Sequence, residues 1–306
     1  MARLTIDAGA EYVPASNEVC SRLESGDILY FPSNPIRLDE GDRGFLLGQK
    51  QVNASFHKNI SYRPRQDRLK GVDARDEAAR ERTRAVMRDF SRKAVAFVTS
   101  FLPGYANDWR VDFASFRPIE EKGRNVAFRS RNDLIHVDNF PSRPSHGDRL
   151  LRIFSNINPT RPRVWVTSDS FEQLAWQYAA KAGLPHPPTA LTKVRSQALR
   201  LFSGLGLPVV DRPPYDQFML RFHNWLKESE TFQLNCPKDR WEFPPDTTWM
   251  CFTDTTSHSC VSGQYALEQT FIVRHGSLAC PGKAPIAILE RMAGFPLEGS
   301  GRARSA

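Results

Sequence analysis

The sequence predicts an α+β protein built on a β-sandwich or barrel-like core. Three observations carry this. Short β-branched and aromatic runs recur along the chain. Pro- and Gly-containing turns separate them. A block of helical sequence interrupts them without the alternating strand–helix order of a parallel sheet. With 306 residues, 40% hydrophobic and 25% charged, the chain has the material for one large core and is not a disordered tail. We read it as a single domain: an N-terminal elaboration over 1–110, a core over 111–280 with a helical insertion at about 168–229, and a C-terminal tail over 281–306.

In chain order, the apolar runs Ile28–Phe31 and Gly44–Leu47 suit strands that begin a sheet. Asp73–Leu102 reads as a helix. Asp73 is the expected N-cap, with Asp76 and Glu77 in the first turn. Ala79, Val86, Met87, Phe90, Ala94, Phe97 and Phe101 fall on one face, and Pro103-Gly104 stops it. That face is core packing. Strands are expected over Arg124–Val137, Leu150–Ile157 and from Arg163 to Thr167. Helices are expected at about 168–182, 189–204 and 214–229. Strands then resume at 231–235, 247–253 and Gln264–Val273.

Net charge is +8, and Arg110–Arg163 holds eleven basic residues against six acidic ones, all Arg but Lys122. A guanidinium presents a planar fork to phosphate or carboxylate, so the excess points to an anionic substrate or surface. No helix-turn-helix, zinc finger or RNP-type motif accompanies the charge, which argues against nucleic acid. No apolar run reaches the roughly 18 residues that cross a bilayer, and the N-terminus lacks the apolar region of a secretory signal. Five scattered cysteines without a CxxC fit a reducing cytoplasm.

The sharpest local feature is His136-Val137-Asp138 at the end of a predicted strand. Residues i and i+2 share a face, so one imidazole and one carboxylate can point at the same place. A third ligand from elsewhere would complete a 2-His-1-carboxylate face, which leaves open positions on Fe(II). His258 follows an apolar strand and a short turn, with His223 and His275 next in line. A second copy, His146-Gly147-Asp148, lies in a loop that does not fix side-chain direction.

Three longer runs resemble one family. They are His136–Pro159, Pro214–Lys227 and Cys251–Phe271, and all three are similar to the Kdo 3-hydroxylases. These are Fe(II)/2-oxoglutarate dioxygenases that hydroxylate the outer 3-deoxy-D-manno-oct-2-ulosonic acid of lipopolysaccharide. The resemblance implies a double-stranded β-helix (jelly-roll) core with N-terminal and inserted helices. It implies iron on His136, Asp138 and His258, with 2-oxoglutarate and O₂ as cosubstrates. It also implies a Kdo-lipid A type substrate, handled in the cytoplasm of a Gram-negative bacterium by peripheral contact with the anionic inner membrane.

In such enzymes the far carboxylate of 2-oxoglutarate needs a cation inside the barrel. Arg274, a short way after His258, is the first choice and Arg152 the second. Asn156 and Asn158 are expected either to bond cosubstrate or substrate, or to close a strand-end turn. Arg129, Arg131, Arg143, Arg149, Arg161 and Arg163 are the expected anion contacts for the substrate. Two other readings stay open: a 2-oxoglutarate oxygenase acting on another substrate, and a non-catalytic jelly-roll that binds anionic glycans or lipids.

Overall fold

The computed structural model describes residues 3–5, 15–51, 59–72, 75–141, 143–185, 187 and 212–298. Its strands are β1 (Arg3–Thr5), β2 (Ile28–Phe31), β3 (Ile60–Arg63), β4 (Arg68–Lys70), β5 (Trp109–Arg117), β6 (Arg149–Asn156), β7 (Arg163–Thr167), β8 (Asp239–Phe243), β9 (Thr248–Phe252), β10 (His258–Ser262) and β11 (Ala266–Val273). Its helices are α1 (Asn17–Glu24), α2 (Glu40–Leu47), α3 (Glu77–Phe101), α4 (Pro103–Ala106), α5 (Phe171–Tyr178), α6 (Pro214–Glu228), α7 (Glu230–Asn235) and α8 (Pro285–Ala293). Eight strands form one sheet in the order β1-β2-β9-β6-β11-β5-β3-β4, and three form a second in the order β10-β7-β8. Among the described residues, only the β1–β2 pair is parallel. The protein is thus a mixed helical and largely antiparallel structure, as its sequence suggests.

Period-two alternation sorts the large sheet into two faces. Leu29 and Phe31 of β2, Leu151 and Ile153 of β6, Met250 and Phe252 of β9, and Leu267 and Phe271 of β11 join the main core. Helix α3 covers that face with Val86, Met87, Phe90, Ala94, Phe97 and Phe101, the face its 3.6 spacing marks out. Phe31 meets Phe97 and Phe101 edge-on at 5.4 and 5.5 Å. The opposite face carries Tyr30, Phe154, Trp249 and Cys251, which pack on Trp165 and Phe243 of the small sheet. Phe243 and Trp249 stack at 4.0 Å and Trp249 and Phe154 at 5.2 Å, so an aromatic wall fills one end of the space between the sheets.

Several elements differ from the sequence reading. Arg124–Val137 is not a strand. It carries a 3-10 turn at Phe128–Ser130, and within it only His136 pairs, in an isolated bridge to His258. Its charged residues leave 124–133 no face to bury. Gly44–Leu47 ends helix α2, because Asp39 caps that segment through the Asp42 N–H. The expected strand at 231–235 is helix α7. Ser229 caps it, and Phe232 turns inward against Tyr178. Helix α3 is capped by Asp76, and Asp73 lies outside the described residues. So does the helix expected at 189–204. Helix α5 is shorter than expected and starts with a Ser170–Gln173 capping box. Among the described residues, no helix is long and apolar enough to cross a membrane.

Candidate metal centre

His136, Asp138 and His258 meet between the two sheets, beside the aromatic cluster, with Phe154 and Trp165 lining the same cavity. The His136 and His258 backbones bond each other twice, at 3.0 and 2.8 Å, and the Asp138 N–H donates to the Thr253 carbonyl at 2.8 Å. His136 Nε2 lies 3.5 Å from Asp138 Oδ1, and His258 Nε2 lies 3.9 Å from Asp138 Oδ2. The two rings are set by the same device. Nδ1 of His136 bonds the Leu134 carbonyl at 2.7 Å, and Nδ1 of His258 bonds the Thr256 carbonyl at 2.8 Å. A carbonyl only accepts, so each Nδ1 carries the proton and each Nε2 keeps its lone pair toward the carboxylate. Trp165 stacks on His258 at 4.8 Å and holds its plane.

A third imidazole arrives from α6. His223 sits edge-on to His136 at 4.8 Å, and one ring nitrogen each from His136 and His223 and one oxygen of Asp138 lie within 4.8 Å of one another.

The electrostatics suit a cation. Burial pushes both His136 and His258 below the ordinary imidazole value, which keeps them neutral. Burial also pushes the Asp138 carboxyl up, but Arg152, the contact with His136 and the two imidazoles outweigh it and hold it well below the usual carboxylate range. Asp138 Oδ2 is buried with no hydrogen-bond partner. Two neutral imidazole lone pairs beside a partly unsatisfied carboxylate are the donor set of a 2-His-1-carboxylate iron site.

Behind the carboxylate lies a network of buried charges. Arg152 NH1 contacts Asp138 Oδ2 at 3.3 Å and Glu268 Oε1 at 3.0 Å. Arg117 bonds Glu268 at 2.6 Å, while Arg124 and Arg163 lie 3.4 and 3.6 Å from Glu121. Arg117, Asn132, Arg152, Arg163 and Cys260 line the same cavity as His136, Asp138 and His258. Gly263 permits part of this packing: at φ +127 it lies so close to Arg163 that a Cβ would fall 2.7 Å from Arg163 Cγ.

A family model for 3-deoxy-D-manno-oct-2-ulosonic acid (Kdo) hydroxylase matches residues 9–296. The chain belongs to the Kdo hydroxylase family. Among solved structures it is similar to the Kdo hydroxylase KdoO, a non-heme Fe(II) α-ketoglutarate-dependent dioxygenase, in complex with α-ketoglutarate and Fe(III). That match has 31% identity and a TM-score of 0.83, and covers 99% of this chain and 100% of the other. The cobalt(II) complex of KdoO gives 32% identity and a TM-score of 0.84, covering 99% of each chain. No curated protein sequence matches.

In this Kdo hydroxylase, Arg152 and Arg163 reach the cavity, but several other expected site residues do not. Arg274 is half exposed and pairs with Asp108 at 3.0 Å. Glu268, which shares Arg152 with Asp138, is near the start of β11, whereas Arg274 follows its last residue, roughly 20 Å away at about 3.3 Å per residue. Arg149 is fully buried against Asp254 on the opposite face of β6. Asn156 bonds the Arg161 and Phe243 carbonyls, and Asn158 accepts from Thr160 and Arg161. Both close the turn between β6 and β7. Arg129 pairs with Glu228, Arg131 with Asp133 and Arg161 with Glu120, all away from the cavity lining. Arg143 pairs with Asp112 and stacks on Phe113 and on Phe140, the ring that Arg152 also approaches. His146 of the second HxD is exposed and bonds Asp216 through its backbone, and His275 lies in a 3-10 turn after β11.

The sequence reading missed Arg117, Glu121, Glu268, Trp165 and Cys260. Glu268 left a signal, as a lone charge in the apolar strand Ala-Leu-Glu-Gln-Thr-Phe-Ile-Val.

Proposed function

We propose that this chain is an Fe(II)/2-oxoglutarate-dependent hydroxylase of the outer Kdo sugar of lipopolysaccharide, acting at C3. The observation that carries the reading is the convergence of His136, Asp138 and His258 from separate segments onto one buried point, in a chain of the Kdo hydroxylase family. His136, Asp138 and His258 are the residues that hold the metal. The topology suits a double-stranded β-helix. The order β5-β11-β6-β9 gives one four-stranded leaf. The His136 segment supplies the fourth member of the other, beside β10-β7-β8.

Iron held there would supply oxygen activation, with 2-oxoglutarate as the co-reductant that would lose its C1 carboxylate as CO2 and leave as succinate. The chain's own residues orient and neutralise. Four guanidiniums (Arg117, Arg124, Arg152, Arg163) face three carboxylates (Glu121, Asp138, Glu268), which leaves one positive charge in excess. A divalent metal raises that excess, and a dicarboxylate brings it back toward neutrality. Arg163 is the anchor for the far carboxylate: it is buried at the start of β7 facing the cavity, its NH1 holds only the Gly263 carbonyl, and its nearest carboxylate, Glu121, lies 3.6 Å away. Arg152 is second, because its NH1 already serves Asp138 and Glu268. Arg143, on the Phe113–Phe140 side of Arg152, is the substrate contact we retain. Peripheral contact with an anionic inner membrane from the cytoplasm rests on the basic excess of Arg110–Arg163.

The test has two parts. Anaerobic Fe(II) with 2-oxoglutarate should give a weak visible charge-transfer band that His136→Ala abolishes. Kdo-lipid A incubated with enzyme, both cosubstrates and air should gain one oxygen by mass spectrometry. A band without the mass gain would keep the oxygenase and reject the sugar; no band would reject the metal site.

A further inference from the structure

The ligand-bearing segment 134–138 has a single strand neighbour, β10, and it touches that strand only through His136 and His258. The Asp138 N–H bonds the Thr253 carbonyl, while both backbone groups of Ile135 and the carbonyl of Val137 find partners in the helical insertion between β7 and β8. Gln233 of α7 accepts from the Ile135 N–H at 3.0 Å and donates to the Ile135 carbonyl at 2.9 Å. One side-chain amide thus satisfies both backbone groups of one residue, as an adjacent strand would. The same amide donates to the Leu226 carbonyl of α6 at 2.8 Å, which ties it to the preceding helix. His223 of α6 places Nδ1 2.7 Å from the carbonyl of Val137, the residue between the two ligands. Ile135 and Val137 are buried, so water cannot take over these bonds without opening the core.

We propose that the inserted helices are part of the metal centre, with Gln233 and His223 as positioning residues that fix where His136 and Asp138 point. The inference rests on the metal-site reading above. Ile135 precedes one ligand and Val137 separates the two, so a rotation of either peptide turns the imidazole and the carboxylate away from their common point. A helix contact that only stabilised the fold would raise the melting temperature and leave metal affinity alone. A positioning contact changes metal affinity in protein that is still folded.

Co(II) titrated into the metal-free full-length chain, followed by its visible absorption, separates the two. Gln233→Ala and His223→Ala should each weaken Co(II) by about 10–100-fold and alter the band. Gln233→Glu, which keeps an acceptor for the Ile135 N–H and loses both donated bonds, should fall between wild type and Gln233→Ala. Leu234→Ala, next to Gln233 but exposed, should bind Co(II) as wild type does. Affinity within about threefold of wild type in folded Gln233→Ala and His223→Ala, whatever their melting temperatures, overturns the proposal. If the alanine variants do not fold, Gln233→Glu decides by the same criterion. A wild-type chain that takes up no Co(II) rejects the metal site itself, a failure visible before any variant is compared.

Discussion

Two arginines of β6, Arg149 and Arg152, meet carboxylates in different ways. Arg149 turns toward the main core. Its Nε and NH2 bond both oxygens of Asp254 at 2.9 and 3.2 Å, NH2 also reaches Thr255, and its guanidinium lies over Phe252. Arg152 turns toward the cavity. Its NH1 is divided between Asp138 and Glu268, and its Nε has no hydrogen-bond partner. The first pair is two-pronged: both Asp254 oxygens are bonded, and only Arg149 NH1 lacks a partner. The second leaves a carboxylate oxygen, Asp138 Oδ2, without a hydrogen bond and faces a cavity. A pair whose carboxylate is fully bonded in the core holds the chain together; one with a free carboxylate oxygen on a cavity waits for a ligand.

The hardest test of this contrast removes the shared carboxylate. Asp138→Ala should abolish metal uptake and product formation, read by the charge-transfer band and by mass spectrometry. Surviving activity would mean that the open pair holds no metal. Next, Arg149→Met should cost about 3–5 kcal/mol in urea unfolding, because it strands Asp254 in the core. Arg152→Met should cost clearly less in the same experiment. Equal losses would erase the distinction. Third, Arg163→Ala should raise the 2-oxoglutarate concentration needed for half-saturation about 10–100-fold, with Co(II) affinity alone unchanged. If Arg152→Ala shows that behaviour instead, the anchor moves to β6.

A smaller effect follows from the neutral imidazoles. His136 and His258 are held below the ordinary value of 6.5, so below that pH the unfolded chain binds more protons than the folded one. Their contribution is fully present above about pH 6.5, and the stability of the metal-free chain should fall as pH drops below it. Asp138 has the same sign of linkage in a lower window: its depressed value adds stability that is fully present above about 3.8 and is lost only as pH falls below that. Urea melts of metal-free protein from pH 8 to 5 would show the imidazole window alone, and a flat profile would contradict it. The smallest effect is expected at Arg274→Ala, which should leave 2-oxoglutarate saturation unchanged because Asp108 is its partner at the surface.

The parts legible in the sequence were those with local periodicity. The 3.6 spacing of α3 and α6 and the apolar runs of β6, β7, β9 and β11 were enough to place them. The HxD was legible as a pattern, and the long similar runs pointed to His258, which the structure brings beside Asp138. Which arginines line the cavity was not legible. Proximity of Arg274 to His258 along the chain says nothing about which end of an antiparallel strand faces that cavity. Helix α7 was misread because Thr231 and Phe232 favour strands, and the capping Ser229 outweighed them. Gln233 carries no sequence signal for this role, since the Ile135 backbone atoms it bonds lie nearly a hundred positions away along the chain.

Cys260 gives the cavity a further property. It lines the same space as His136, Asp138 and His258, all five cysteines are unpaired, and burial pushes its thiol up to about 11. At neutral pH it therefore stays protonated, a poor nucleophile toward peroxide and a poor soft ligand for a stray thiophilic metal. The sulfur that shares a chamber with oxygen chemistry is chemically quiet, which should lengthen the working life of the protein between synthesis and oxidative damage.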